Sequence, residues 1–272
     1  MSAAVNDSPV TLHAMTCGRL RMPYPFLISG EEGVIEVPVP AFFIVHPRGT
    51  VLFDTGLPVG IRTDKERELL VAAPFFEVDF APEADLAARL AAADHDIARV
   101  DYVVNSHLHF DHAGGNALVP NARLVVQKRE WEAGTIPETI ASNYFNPIHY
   151  DLGHDRLEID GEHDLFGDGS VVCVPTYGHT PGHQSLKVRT ADGDVALCGD
   201  ACYLRRTLAE LRLPDIVADR DAMLRSLELL RGLVQRGARL VFGHDDVQWS
   251  QLNHGPLAVL GANDVARAVP RS

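Results

Sequence analysis

The sequence predicts an α/β protein in which β-sheets form the inner layers and helices cover them. Three observations lead to that class. Short runs rich in valine and leucine alternate with amphipathic segments in both halves of the chain, the pattern of layered sheets with helices outside. At 272 residues the chain is long enough to bury a full core as one unit. No repeat, low-complexity run or Pro/Gly/Ser-rich linker divides it, so residues 1–272 read as a single domain.

The elements follow in order. Met1 to Met15 lack a basic start followed by an apolar core, and no secretory signal is visible there. Residues 22–27, apolar and proline-containing, are open to two readings: packing on a second subunit of a homodimer, or packing within their own chain, the preferred one. Residues 39–45 and 50–53 are short apolar runs separated by Pro47, Arg48 and Gly49, which predicts a hairpin. Pro82 and Glu83 open a helix that carries Leu86 and Leu90 on one face. Residues 102–105 form a short strand, and 123–127, 170–176, 185–188 and 195–197 form further strands. Between them, residues 128–168 show no steady period and read as irregular structure near the site. Residues 219–236 are the clearest helix, with Met223, Leu227, Leu230 and Val234 on one stripe and Gly237 where a C-terminal cap belongs. Residues 239–242 are a last buried strand.

Composition narrows the function. Apolar residues at 46% and charged residues at 22% are ordinary for a globular protein. The net charge of −13 argues against a nucleic-acid partner, which needs a basic stripe, and serves solubility instead. No run of 18 apolar residues is present, so no membrane span is expected. Of the cysteines Cys17, Cys173, Cys198 and Cys202, only the last two are close, and their spacing is not a usual zinc or redox pair. All four read as reduced thiols of a cytoplasmic protein.

The chemistry concentrates in His107-Leu108-His109-Phe110-Asp111-His112, directly after a strand. Three imidazoles and a carboxylate so close together cannot enter an apolar core without a large desolvation cost. A turn at a strand end lets alternate side chains converge, so His107 and His109 can serve one ion while Asp111 and His112 reach a second. Such ligands suit zinc, iron, cobalt or manganese. Three more candidates each end an apolar run: His179, Asp200 and His244. A carboxylate has two oxygens, so Asp200 is able to bridge two ions. His183 lies near enough to support a ligand. His13, His46, His95, His149, His154, His163 and His254 have no ligand-like neighbours and read as surface or structural residues.

The pattern H-x-H-x-D-H followed by His179, Asp200 and His244 resembles the dinuclear metallo-β-lactamase superfamily, over a stretch from about Asp54 to His244. The resemblance implies a four-layer αβ/βα sandwich with two divalent metal ions, zinc foremost, at one edge of the two sheets. It implies one ion on His107, His109 and His179, another on Asp111, His112 and His244, and Asp200 bridging them with a hydroxide. Asp54, in Phe53-Asp54-Thr55-Gly56, matches the family's early acidic turn and would orient ligands.

Within that superfamily, Asp200-Ala201-Cys202-Tyr203 together with His-x-His-Phe-Asp-His-Ala-Gly-Gly resembles the N-acyl-homoserine lactone lactonases. Val37-Pro38-Val39-Pro40-Ala41-Phe42-Phe43 and Gly243-His244-Asp245 are similar too, whereas Asp246 stands where a proline often follows. β-Lactamases lack the bridging aspartate, and glyoxalase II relatives carry Cys-Gly-Arg soon after it. The implied reaction opens the lactone ring of a small-molecule substrate by attack of the bridging hydroxide. Tyr203 would hold the oxyanion beside one metal, and Asp111 would pass a proton to the leaving alkoxide. Phe110 is expected in the acyl pocket or in the core. The alternative is a hydrolase of the same fold acting on another lactone, a thioester or a phosphoester. A non-catalytic metal protein is the third reading, and seven ligands argue against it because a structural zinc needs four.

Overall fold

The computed structural model describes residues 10–252 and 257–266; His254 and the ends of the expected 1–272 domain lie outside them. Thirteen strands are present among the described residues: β1 (Thr11–Pro23), β2 (Val34–His46), β3 (Gly49–Phe53), β4 (Glu77–Asp79), β5 (Tyr102–Val104), β6 (Arg123–Gln127), β7 (Arg156–Ile159), β8 (His163–Asp164), β9 (Val171–Pro175), β10 (Gln184–Thr190), β11 (Gly193–Leu197), β12 (Arg239–Val241) and β13 (Ala258–Val259). The α-helices are α1 (Lys65–Leu69), α2 (Leu86–Ala91), α3 (Phe110–Ala113), α4 (Lys128–Ala133), α5 (Pro137–Ser142), α6 (Arg205–Glu210), α7 (Arg220–Gln235) and α8 (Asp246–Leu252).

The strands make two sheets. The larger runs β13-β1-β2-β3-β5-β6-β7, with β4 paired to β1, and the smaller runs β12-β11-β10-β9-β8. Period-two alternation divides each strand between two cores. Phe42, Ile44, Val51, Phe53, Val104 and Val125 face Cys173, Leu186, Val188, Val195, Leu197 and Val241 between the sheets. Phe43, Leu52, Val103, Leu124 and Val126 point the other way, onto Leu86 and Leu90 of α2 and Trp131 of α4. On the far side of the smaller sheet, Ala196 and Leu240 meet Met223, Leu227 and Leu230 of α7. The layers therefore stack helix, sheet, sheet, helix, as the sequence resemblance implied.

Strand direction places the site. β3, β5, β6 and β7 are mutually parallel, so their C-terminal ends share one edge. In the smaller sheet β11 and β12 are parallel, and β9 runs with them because β9 and β11 are both antiparallel to β10. The segments after β3, β5, β9, β11 and β12 can thus meet along one rim.

The predicted hairpin is present as β2 and β3, with β2 longer than the apolar run alone marks. α7 is capped by Asp219, whose side chain accepts from Ala222 N–H at 2.9 Å, and is ended by Gly237 at φ 102°. Two expectations are corrected, and one strand is added. Pro82–Ala84 is a separate 3₁₀ turn and α2 starts only at Leu86, because the Asp85 carboxylate accepts from Ala88 N–H at 2.8 Å and begins the helix anew. Residues 128–168 are not irregular throughout: they hold α4, α5, β7 and β8, each six residues or shorter, too brief for a period to build up. β1, which the pattern did not mark, has its alternation broken by a register shift between Thr16 and Arg19. Met22 and Leu27 are buried within their own chain.

Leu227 is wholly buried where α7 seals the smaller sheet. Leu227→Ala should cost about 2–5 kcal/mol of unfolding free energy, measured by denaturant titration. A variant as stable as the parent would show that α7 does not close this core.

Candidate metal centre

The His-rich turn follows β5. Asn105 and Ser106 leave the sheet, His109 is still extended at φ −69° and ψ 156°, and α3 then turns Asp111 and His112 back toward the rim. Two groups of side chains come together. His107, His109, His179 and Asp200 each offer a ligand atom within 4.8 Å of the others, and so do Asp111, His112 and His244. All seven residues singled out as metal ligands in the sequence are in these two groups.

The far nitrogen of each histidine has an oxygen partner. His109 Nε2 donates to the Asn143 carbonyl at 2.8 Å, and His244 Nδ1 to the Pro38 carbonyl at 2.8 Å. A carbonyl only accepts, so His109 Nδ1 and His244 Nε2 are left bare when the rings are neutral. His112 Nδ1 donates to Asp54 Oδ2 at 2.8 Å, His107 Nδ1 meets Ser106 Oγ at 2.9 Å, and His179 Nδ1 meets Tyr203 Oη at 3.0 Å. Asp54 holds φ 60°, a left-handed backbone that Asp tolerates, and its Oδ1 accepts Ser106 N–H at 2.7 Å. It thereby ties the His-rich turn to the end of β3.

The inward nitrogens face one another and the Asp200 carboxylate. His109 Nδ1 is 2.9 Å from His107 Nε2 and 3.1 Å from His179 Nε2. On the other side, Asp200 Oδ1 is 3.2 Å from His112 Nε2 and 3.1 Å from His244 Nε2, while Oδ2 is 3.7 Å from His107 Nε2 and 3.4 Å from His179 Nε2. Asp200 thus turns one oxygen to each group. His112 Nε2 and Asp200 Oδ1 are buried without a hydrogen-bond partner. Lone pairs facing one another, with orphaned buried atoms among them, are what a cation would relieve. The donor set fits divalent metal.

Charge follows the same division. Burial and neighbouring histidines hold His107 well below the ordinary imidazole range; burial also holds His179 well below it. Burial alone would lower His112 and His244, but Asp200 and Asp111, and Asp54 for His112, outweigh it and raise both. Burial would raise Asp200, but His112 and His244 hold it well below the carboxylate range. A metal ion there would compete with protons at His112 and His244.

His183, fully buried, accepts the Asp200 N–H on Nε2 at 2.9 Å and meets Thr176 Oγ1 at 2.9 Å with Nδ1, so it fixes the backbone that carries Asp200. His149 and His154 point Nε2 at the carbonyls of Glu68 and Val119, and His46 pairs with Asp168 at 3.0 Å, all away from the centre. A cavity of about 260 Å³ opens onto the centre at His109, Asp111, His179, Asp200, Tyr203 and His244. Its other wall is apolar and includes Met22, Phe26, Leu27, Phe76, Phe110 and Ile216. Most of that wall was not legible in the sequence, because it is assembled from loops far apart along the chain.

Asp54→Asn should weaken metal binding about 10–100-fold, read by competition with a chelator, because His112 loses the acceptor that fixes its free nitrogen. Parent-like affinity in that variant would remove Asp54 from the centre.

The sequence matches the Metallo-beta-lactamase superfamily over residues 34–244. It is similar to N-acyl homoserine lactonase AttM of Azorhizobium caulinodans, 35% identical over 235 residues that cover 84% of this chain and 89% of that one. It is also similar to N-acyl homoserine lactonase AiiA of Bacillus thuringiensis subsp. kurstaki, 29% identical over 78% of this chain and 83% of that one. Among solved structures, an N-acyl homoserine lactone hydrolase with the product N-hexanoyl-L-homoserine at its catalytic metal centre superposes with TM-score 0.82 at 26% identity, covering 92% of this chain and 98% of the other. A quorum-quenching N-acyl homoserine lactone lactonase gives 0.79 at 26% identity over 96% and 100%. The match spans the His-rich turn and every other candidate ligand, and the chain belongs to the metallo-β-lactamase superfamily.

Proposed function

We propose that this chain is a dinuclear-metal hydrolase that opens the lactone ring of N-acyl-homoserine lactones. The observation that carries the reading is one cavity with a seven-ligand centre at one end and an apolar wall at the other, matched to a polar ring bearing an acyl tail. Its similarity to lactonases of that name supports the same substrate class.

His107, His109 and His179 would hold one ion and Asp111, His112 and His244 the other, with Asp200 giving an oxygen to each. Zinc suits these donors first, with iron, cobalt and manganese next. When bound, such a pair supplies hydroxide at neutral pH and polarises a carbonyl oxygen. Tyr203 would donate to that oxygen as charge builds on it. With His179 Nε2 serving as a ligand, Nδ1 carries the hydrogen and donates to Tyr203 Oη at 3.0 Å, so the phenol hydrogen turns toward Asp200, from which a substrate oxygen would take it over. Burial, then the charges of Asp200 and Asp111, push the phenol well above its usual range and keep it protonated. As hydroxide adds to the lactone carbonyl, the ring C–O bond breaks and the departing alkoxide takes a proton. Asp111, on the cavity wall, would relay to it the proton that the hydroxide carried onto the new carboxyl group, leaving a carboxylate and an alcohol. Phe110 and Phe76, whose rings meet at 5.2 Å, would pack on the acyl group.

Among the described residues, no lysine or arginine lines the cavity. A phosphomonoester would lack a counter-charge beyond the metals, so a neutral ester is favoured over a phosphoester. Cys17, Cys173, Cys198 and Cys202 are free and buried, which fits a reducing compartment such as the cytoplasm.

A pH-indicator assay over acyl-homoserine lactones of rising chain length, with γ-lactones and a thioester alongside, tests the assignment. KM should fall about fourfold for each methylene that the apolar wall covers. Fast thioester turnover with inert lactones would overturn it in favour of the thioesterase alternative. Tyr203→Phe should lower kcat about 10²–10³-fold with metal content unchanged, and undiminished turnover would strip Tyr203 of its role.

A further inference from the structure

We propose that Glu130 is a positioning residue of the metal centre, a single carboxylate that fastens the turn carrying His107 and His109 to the turn that follows His179. The inference rests on reading the centre as a metal site. Glu130 lies on α4, outside the ligand set, and is fully buried. Its Oε1 accepts the N–H of Leu108 at 3.1 Å, between two of the ligand histidines. Its Oε2 accepts the N–H of Gly182 at 2.7 Å, three residues beyond the third. The two oxygens therefore join separate turns, one after β5 in the larger sheet and one after β9 in the smaller, that together supply all three histidines of one ion.

The packing is built for this contact. A Cβ on Gly182 would lie 2.3 Å from Glu130 N and 2.6 Å from Glu130 Cβ, so only glycine lets the second turn approach α4 closely enough. Among the described residues Glu130 forms no ion pair, and Arg129 beside it sits over the Tyr177 ring instead. A buried carboxylate without a cation is costly, and a glutamine would avoid most of that cost. Burial pushes the Glu130 carboxyl up to about 7 against the pull of the Gly182 and Leu108 N–H groups. What glutamine lacks is a second acceptor oxygen. With one oxygen and one NH₂ group it can hold one turn, and it presents a donor to the N–H of the other.

Glu130→Gln separates this role from simple support of the fold. Both proteins are stripped, reloaded with zinc and titrated against a competing chelator, and the metal-free forms are melted. The variant is expected to bind one of its two ions about 10–100-fold more weakly, to keep the other at parent affinity, and to melt no lower than the metal-free parent. Two results would overturn the proposal: parent-like affinity for both ions, or equal weakening of both with a lower melting temperature, which marks a structural residue. A parent that takes up no zinc would sink the metal reading itself.

Discussion

Everything in this molecule is arranged around bare nitrogen lone pairs that face one another across about one cation's width. Three imidazole nitrogens within 3.2 Å, with no hydrogen able to sit between all of them, form a repulsive set. Asp200 eases it from one side only, since its two oxygens are shared with the second histidine group. A protein interior pays for such a set only by over-determining it. Each ring is therefore anchored through its other nitrogen, by Ser106, Asn143, Asp54, Tyr203 or the Pro38 carbonyl. All five anchors hold the ring planes, and the carbonyl and carboxylate anchors also fix the tautomers of His109, His244 and His112, which is how outer partners raise the basicity of a ligand.

The sandwich answers the same demand at the level of topology. A ligand that follows a strand inherits the rigidity of the sheet, and parallel neighbours bring such strand ends to one rim. β5 contributes the His-rich turn, β9 His179, β11 Asp200 and β12 His244, so four elements from two sheets supply the centre. Cross-links at the rim then hold the sheets in register with each other. Gln184 donates its N–H to the Ser106 carbonyl at 2.8 Å, and its side-chain amide donates to the Asn105 carbonyl at 2.9 Å. The same edge leaves loops free to build an apolar wall. Residues 24–29 and 213–215 are stitched together by Ser29 N–H to Leu213 at 2.8 Å and Asp215 N–H to Pro25 at 3.0 Å, and they set Phe26, Leu27 and Ile216 opposite the candidate metal centre.

How much of this could be read in the sequence depends on whether the signal resides in a side chain. The seven candidate ligands and Tyr203 announce themselves by residue type and by their place after apolar runs. The helix at α7 does so by period and caps. The anchors do not: Pro38 and Asn143 act through backbone carbonyls, which any residue possesses. Glu130 looks like one more acidic residue in a short polar helix, and only its burial against Gly182 distinguishes it. α4, α5 and β1 were missed for related reasons, the helices because they are short and the strand because a bulge breaks its alternation. The cavity wall is a long-range property, and spacing along the chain carries none of it.

One turn shows how closely recognition and ligation are joined. α5 is capped by Asn143, and Tyr144 follows in a left-handed conformation at φ 57°, a place where glycine would be strain-free. A tyrosine there costs about 1–2 kcal/mol. The turn is closed by Phe145 N–H bonding the Ile140 carbonyl at 3.0 Å, and it aims the Asn143 carbonyl at His109 Nε2. The Tyr144 ring meanwhile lines the cavity mouth. A glycine would relieve the backbone but leave that part of the wall empty. The strained residue thus serves both ends of the site, because the dihedral that presents its ring to the cavity is also the one that closes the turn holding a histidine of the candidate centre.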